Sequence, residues 1–146
     1  MRRPAPSSLS VLMYHAVTPD PLEDAAQESI PAALFELHMA SLRDLGVEVL
    51  SLEDGLACLA AGTGAGPAVS VVFDDGYAGV HDYALDALVR YRIPATVFLA
   101  TEWIGRPAFP WADPTLGRPL SWRQVSTLVD TASCRMGSHT HTHTPC

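Results

Sequence analysis

The 146-residue sequence contains no lysine and no asparagine. Without an ammonium side chain it has no P-loop lysine, no Schiff-base nucleophile and no Ser-Lys hydrolase pair. Without asparagine it has no N-glycosylation acceptor. Cysteine is sparse, and Cys58, Cys134 and Cys146 form an odd set with no C-x-x-C spacing. That composition supports neither a disulfide framework nor a cysteine-based zinc finger. No apolar run reaches transmembrane length. The apolar stretch after Met1-Arg2-Arg3-Pro4 is broken by His15, so it does not read as a secretory signal, and localisation stays open. Basic charge is scarce as well: nine arginines face 16 acidic residues, for a net charge of -7. Such a chain repels phosphate backbones, so nucleic acid is not an expected partner. Nothing in the sequence indicates an oligomeric state.

Apolar residues make up 48% of the chain and charged residues 17%, the balance of a folded domain. The length suits one domain. Residues 9–17 are short and β-rich and read as a buried strand. Residues 18–30 read as a loop, with Ser29 as the cap of a following helix and Pro31 in its first turn. Leu34, His38, Leu42 and Leu45 recur at helical spacing until Gly46 stops the run. Residues 47–50 read as a strand, 52–61 as a weaker helix and 62–67 as a flexible connector. Residues 68–73, with three valines and a phenylalanine, form the strongest strand. Val80, Ala84, Leu88 and Tyr91 predict the next helix face, with Asp86 placed to pair with Arg90. A strand over 95–100 follows, then a long loop over 103–119 carrying four prolines. Ser121 is a suitable cap for a helix through Asp130. Residues 133–138 complete five strand candidates.

Alternating strands and helices predict parallel βαβ units, whose ligand sites lie at the C-terminal ends of strands. Two clusters sit where such a site would form. In the first, Val72-Phe73-Asp74-Asp75-Gly76-Tyr77, two carboxylates end a buried strand and a glycine turns the chain. Neighbouring strand residues point to opposite faces, so Asp74 and Asp75 have separate tasks. Two adjacent carboxylates ionise together more readily beside a cation. The plainer alternative is a helix N-cap with a second turn acid.

The second cluster is His139-Thr140-His141-Thr142-His143. Neutral imidazole is the commonest metal ligand. In an extended strand His139 and His143 lie ~13 Å apart, too far for one ion. In a helical turn they lie ~6 Å apart, which suits one ion. If the segment is extended, a His-x-His pair including His141 is the better set. The plainer alternative is a polar tail that binds nothing. One aspartate with two histidines is an open tridentate set of the catalytic kind, and the second aspartate is then a candidate general base. Paired acids at a strand end also occur in phosphoacceptor domains, but those rely on a lysine that this chain lacks.

Phe73-Asp74-Asp75-Gly76 followed by His139-Thr140-x-x-His143 resembles the polysaccharide deacetylase family, the NodB-homology domain of carbohydrate esterase family 4. The stretches Val11-Leu12-Met13-Tyr14-His15, Pro94-Ala95-Thr96-Val97-Phe98-Leu99 and Met136-Gly137-Ser138-His139 resemble it too. The resemblance implies an α/β fold, a distorted (β/α) barrel with its site at the C-terminal strand ends. It implies Asp74 as the catalytic base, Asp75, His139 and His143 as ligands of a divalent metal, most simply Zn²⁺, and His141 as a bystander. The implied activity is removal of N-acetyl, or O-acetyl, groups from an acetylated carbohydrate polymer. In the family, later motifs supply a base-orienting arginine and a histidine that acts as general acid. This chain ends three residues after His143. Residues 1–146 are therefore expected to form a single, C-terminally incomplete deacetylase domain, a barrel truncated after about five strands. Such a domain would be weak or inactive alone, and a noncatalytic metal- or glycan-binding remnant is the alternative.

The other histidines and the tryptophans have plainer readings. His15 either faces the barrel mouth or is a buried strand-end histidine. His38 is a core or rim residue, and His81 is solvated on a helix. Trp103, Trp111 and Trp122 flank the long loop and are expected to pack it rather than stack on a sugar.

Overall fold

The computed structural model describes residues 5–23, 28–62, 64–131 and 133–144. In chain order the elements are β1 (Ala5–Tyr14), β2 (Ala16–Thr18), β3 (Ser29–Pro31), α1 (Ala32–Asp44), β4 (Glu48–Val49), α2 (Leu52–Ala60) and β5 (Gly64–Phe73). A π-helical turn (Val80–Ala84) leads directly into α3 (Leu85–Tyr91). Then come β6 (Ala95–Leu99), a 3-10 turn (Pro114–Leu116), α4 (Trp122–Asp130) and β7 (Cys134–Ser138).

The five strand candidates of the sequence form one parallel sheet. β5 is its spine. One edge pairs with β1, in register from Leu9 opposite Ala68 to Tyr14 opposite Phe73. The other edge pairs first with β4 at Ala68 and Val69, then with β6 from Val71 to Phe73. β7 pairs with β6 along its length, from Cys134 opposite Ala95 to Ser138 opposite Leu99. Ser70, Val71, Val72 and Phe73 are all buried. A parallel strand is covered on both faces, which is why this stretch reads as a continuous rather than alternating apolar run.

The core fills the space between this sheet and the helices. Phe35 and Met39 of α1, Val80, Ala84 and Leu88 of the next helical segment, and Leu128 of α4 are fully buried against Val71, Phe73 and Val97. Tyr14, Phe35 and Phe73 meet as a ring cluster with centroids 5.1 to 5.6 Å apart. Burial pushes the Tyr14 phenol above its ordinary value, and its hydroxyl lies 3.0 Å from His38 Nδ1. Burial also pushes the Cys134 thiol up to about 11, so it remains protonated and unreactive at neutral pH.

Several local expectations are corrected. The first strand does not run through His15: β2 leaves the main sheet and forms a two-stranded parallel ribbon with β3. Ser29 therefore lies in a strand, opposite Ala16, and the residue capping α1 is Pro31, with no side-chain cap bond. Leu34 and Leu45 face solvent, and the buried stripe of α1 runs through Phe35 and Met39 instead. The 62–67 connector is shorter than expected, because β5 already pairs with β1 from Gly64; Thr63 lies outside the described residues. Arg90 pairs with Glu36 of α1, not with Asp86 one turn away. An interhelical partner is thus preferred to the local one. His81 is half-buried beside Asp82, 2.8 Å away, rather than fully solvated.

Other expectations hold. Ser121 caps α4 in a full capping box with Gln124, and α4 ends at Asp130. Leu85–Tyr91 is helical and is closed by Arg92 in the left-handed region just before Pro94.

One close approach ties the ribbon to the helical layer. A Cβ built on Gly79 would lie 1.9 Å from the Val17 carbonyl oxygen. The obstacle is backbone and cannot rotate away. Gly79→Ala is therefore expected to cost about 3 kcal/mol of stability, the upper part of the usual overpacking range. Urea denaturation measures it, and a loss below about 1 kcal/mol would show that the ribbon yields freely.

Candidate metal centre

The C-terminal ends of β5, β6 and β7 lie side by side, and the two motifs meet there. Asp75 stands two residues beyond β5 and His139 one beyond β7. β6 separates them, so their backbones start roughly 10 Å apart, two strand spacings. Hydrogen bonds hold all three ends in register: Ala100 N donates to Asp75 O at 3.2 Å, and His139 N donates to Leu99 O at 2.9 Å. Asp74 N donates to Tyr14 O at 2.9 Å and anchors the turn to β1.

The turn reverses the chain sharply. Asp75 has φ 67° and Gly76 φ 90°. Glycine is required at position 76 on two counts. Its backbone is left-handed, and a Cβ there would lie 2.8 Å from Leu99 Cδ2. The helix that follows starts at Val80, with Gly79 as its cap and no side-chain cap bond. The N-cap reading of the aspartate pair is thereby overturned.

The histidine segment is neither extended nor helical. Thr140 and His143 both have φ 61°. Each non-glycine residue in that region costs on the order of 1–3 kcal/mol and persists only where the surroundings hold it. The turn brings the His139 and His143 rings to a centroid separation of 5.1 Å. Asp75 is buried, while the two histidines are half-buried. One ligand atom from each of the three residues lies within 4.8 Å of the others. Nε2 of His143 and of His139 stand 3.1 and 3.3 Å from Asp75 Oδ1, yet that buried oxygen accepts no aligned hydrogen bond. A carboxylate and two imidazoles so grouped fit a divalent cation.

Asp74 is partly exposed at the end of β5, next to the buried Asp75. The two aspartates thus differ in environment, but not through strand alternation: β5 ends at Phe73, and the left-handed turn at Asp75 separates them. His141 is turned away from the cluster: it is exposed, and its Nδ1 lies 3.0 Å from Thr101 Oγ1. The His-x-His alternative is overturned by this geometry. His38 sits with Tyr14 and His15 is half-buried beside the end of β1. Neither belongs to the cluster.

Sequence reasoning missed the aromatic surround. Trp111 stacks on the His143 ring with centroids 4.1 Å apart and planes 19° apart. Trp103 Nε1 donates to Thr142 O at 3.4 Å. Both residues come from an irregular, proline-rich loop, where no periodicity announces a partner. The expectation that Trp103 and Trp111 pack the loop is met, since they contact each other edge to face at 5.6 Å. Trp122 is exposed on α4.

The fold is a parallel α/β sheet with Asp75, His139 and His143 grouped at its strand ends. The polysaccharide deacetylase model matches residues 61–146, more than half of the sequence, and the chain belongs to that family. The Bacillus subtilis (strain 168) protein YxkH, which carries a provisional polysaccharide deacetylase name, is 30% identical over 101 residues, or 68% of this chain and 34% of YxkH. The structure of IcaB from Ammonifex degensii superposes with a TM-score of 0.77 at 28% identity, covering 94% of this chain and 55% of IcaB. A de-N-acetylase from Aggregatibacter actinomycetemcomitans gives 0.74 at 26% identity, covering 91% of this chain and 55% of that one. The chain thus spans about a third of the curated relative and about half of each solved structure. The sheet described above is the NodB-type α/β fold, here represented by five parallel strands. Among the described residues no helix is long and apolar enough to cross a membrane.

Proposed function

We propose that this chain carries the metal centre and catalytic base of a metal-dependent carbohydrate deacetylase acting on N-acetylated sugars. Asp75, His139 and His143 would hold the cation, most simply Zn²⁺, and Asp74 would be the general base. The observation that carries the proposal is the convergence of three ligand atoms within 4.8 Å around a buried carboxylate oxygen with no hydrogen bond. A bound cation of this kind supplies Lewis acidity toward the acetyl carbonyl and makes nearby water more acidic.

The chain's own residues divide the remaining work. Asp75, buried and held in a left-handed turn, has few other conformations to lose on binding a cation. Asp74, partly exposed beside it, takes a proton from the attacking water as the oxygen adds to the acetyl carbon. The carbon–nitrogen bond then breaks, giving acetate and a free amine. The amine must gain a proton as it leaves. The family resemblance assigns that proton to a histidine of a later motif. The whole protein is the form to assay.

Acetate release from an N-acetylated chitooligosaccharide tests the reading. Dialysis against a strong zinc chelator should reduce the whole protein's activity by at least about 100-fold, and equimolar Zn²⁺ should restore it. Activity that survives complete zinc removal would overturn the metal-dependent mechanism. A protein that binds zinc and glycan yet releases no acetate would support the noncatalytic reading instead.

A further inference from the structure

We propose that Trp111 and Trp103 form a positioning clamp that sets the affinity of the metal centre by pre-orienting His143; this rests on the metal reading above. His143 and Thr140 both sit in the left-handed region. Neither residue is a glycine, so the segment holds this shape only where its surroundings dictate it. Two backbone-level ties are present: Glu102 N donates to His141 O at 2.9 Å, and Trp103 Nε1 donates to Thr142 O at 3.4 Å. The ligand ring itself is held by a flat surface, the Trp111 indole stacked 4.1 Å away.

The clamp is braced from behind. Trp111 packs against Phe109 with centroids 4.9 Å apart, and Phe109 packs against Tyr77 at 4.7 Å. Phe109 and Tyr77 are buried. Tyr77 lies two residues after Asp75. A continuous row of rings therefore links the turn bearing the carboxylate ligand to the ring of a histidine ligand. An imidazole already oriented in the apo protein loses less freedom on binding, so the ion is held longer. Trp111 touches a ligand and not the reacting atoms, which makes it a positioning residue.

Competition of the protein with a chromogenic zinc chelator tests the inference. Trp111→Leu fills the loop without a flat ring and should weaken zinc binding by about 10- to 100-fold, mainly through faster release. Trp111→Phe restores a stacking face and should bind nearly as tightly as wild type. Trp103→Phe removes only the indole N–H and should weaken binding by a smaller factor. Apo melting temperatures of the Leu and Phe variants establish that both fold. Should Trp111→Leu fail to fold, Trp103→Phe decides the matter: unchanged affinity overturns the clamp. Equal affinity of the Leu and Phe variants also overturns it, because bulk alone would then suffice. Wild-type protein that binds no zinc overturns the metal reading itself, a result distinguishable from any difference among variants.

Discussion

Asp74→Asn is expected to lower acetate release by the whole protein about 10³-fold while leaving zinc stoichiometry unchanged. General-base catalysis contributes roughly 10²–10⁴ to a rate, and an amide cannot accept the water proton. The substitution is nearly isosteric and lies outside the group of three convergent ligands. Asp74 is partly exposed, so its replacement leaves no buried charge unpaired. The informative comparison is kcat against bound metal in the same preparation. Loss of both together would make Asp74 a ligand rather than a base. Retention of activity within about tenfold would remove it from the proton transfer altogether.

Asp75→Asn is expected to have the opposite profile: zinc binding falls by about 10²- to 10³-fold and the fold survives. Complete tetrahedral zinc sites reach apparent binding energies of ~10–16 kcal/mol, or roughly 2.5–4 kcal/mol for each of about four ligands. Each 1.4 kcal/mol is about tenfold in affinity. Asparagine is the right replacement because it tolerates the left-handed conformation that Asp75 adopts at φ 67°. The apo proteins carry a second expectation. Asp75 is a buried carboxylate with an oxygen that accepts no hydrogen bond. Holding such a charge without a cation is costly. At pH 8 and without metal, the asparagine variant should therefore melt no lower than wild type. Added zinc should raise the wild-type melting temperature and leave the variant's unchanged. A variant that still gains stability from zinc would place the ion elsewhere.

The two profiles together separate a base from a ligand, although the residues are adjacent in sequence. Strand alternation predicted different tasks for these neighbours, but both lie past the end of β5, and the turn rather than the strand separates them. The structure shows the difference as burial: Asp75 lies beneath the surface in a left-handed turn, and Asp74 remains partly exposed.

The sequence was most legible where a single strong signal acted alone. The valine-rich run to Phe73 had to be a covered parallel strand, and the alternation of elements implied a parallel sheet. Ser121 caps α4 as read, and the structure adds Gln124 to complete a capping box. Legibility failed where two residues distant in sequence competed with a local partner. Arg90 chose Glu36 over Asp86 because α1 and α3 pack together. Ser29 was taken into a strand by Ala16, which a local cap signal cannot anticipate. On α1 leucines recur on more than one side, and only the docked sheet decides that Phe35 and Met39 face inward.

By itself, then, the sequence determined the chemistry available: an acid pair ending a buried strand, a histidine cluster after another, and no lysine to serve the rival chemistries. Composition and order are carried by the chain whatever its shape. The motif resemblance pointed to His139 and His143, but only the tertiary structure brings their rings together. Spacing alone left His139 with His143, or a His-x-His pair, open, because the answer depends on the backbone of the segment, φ at Thr140 and His143 included. Those left-handed angles are unfavourable locally. They are held by contacts from the loop after β6, among them the Trp111 ring and the Trp103 indole N–H, more than 30 residues away in the chain.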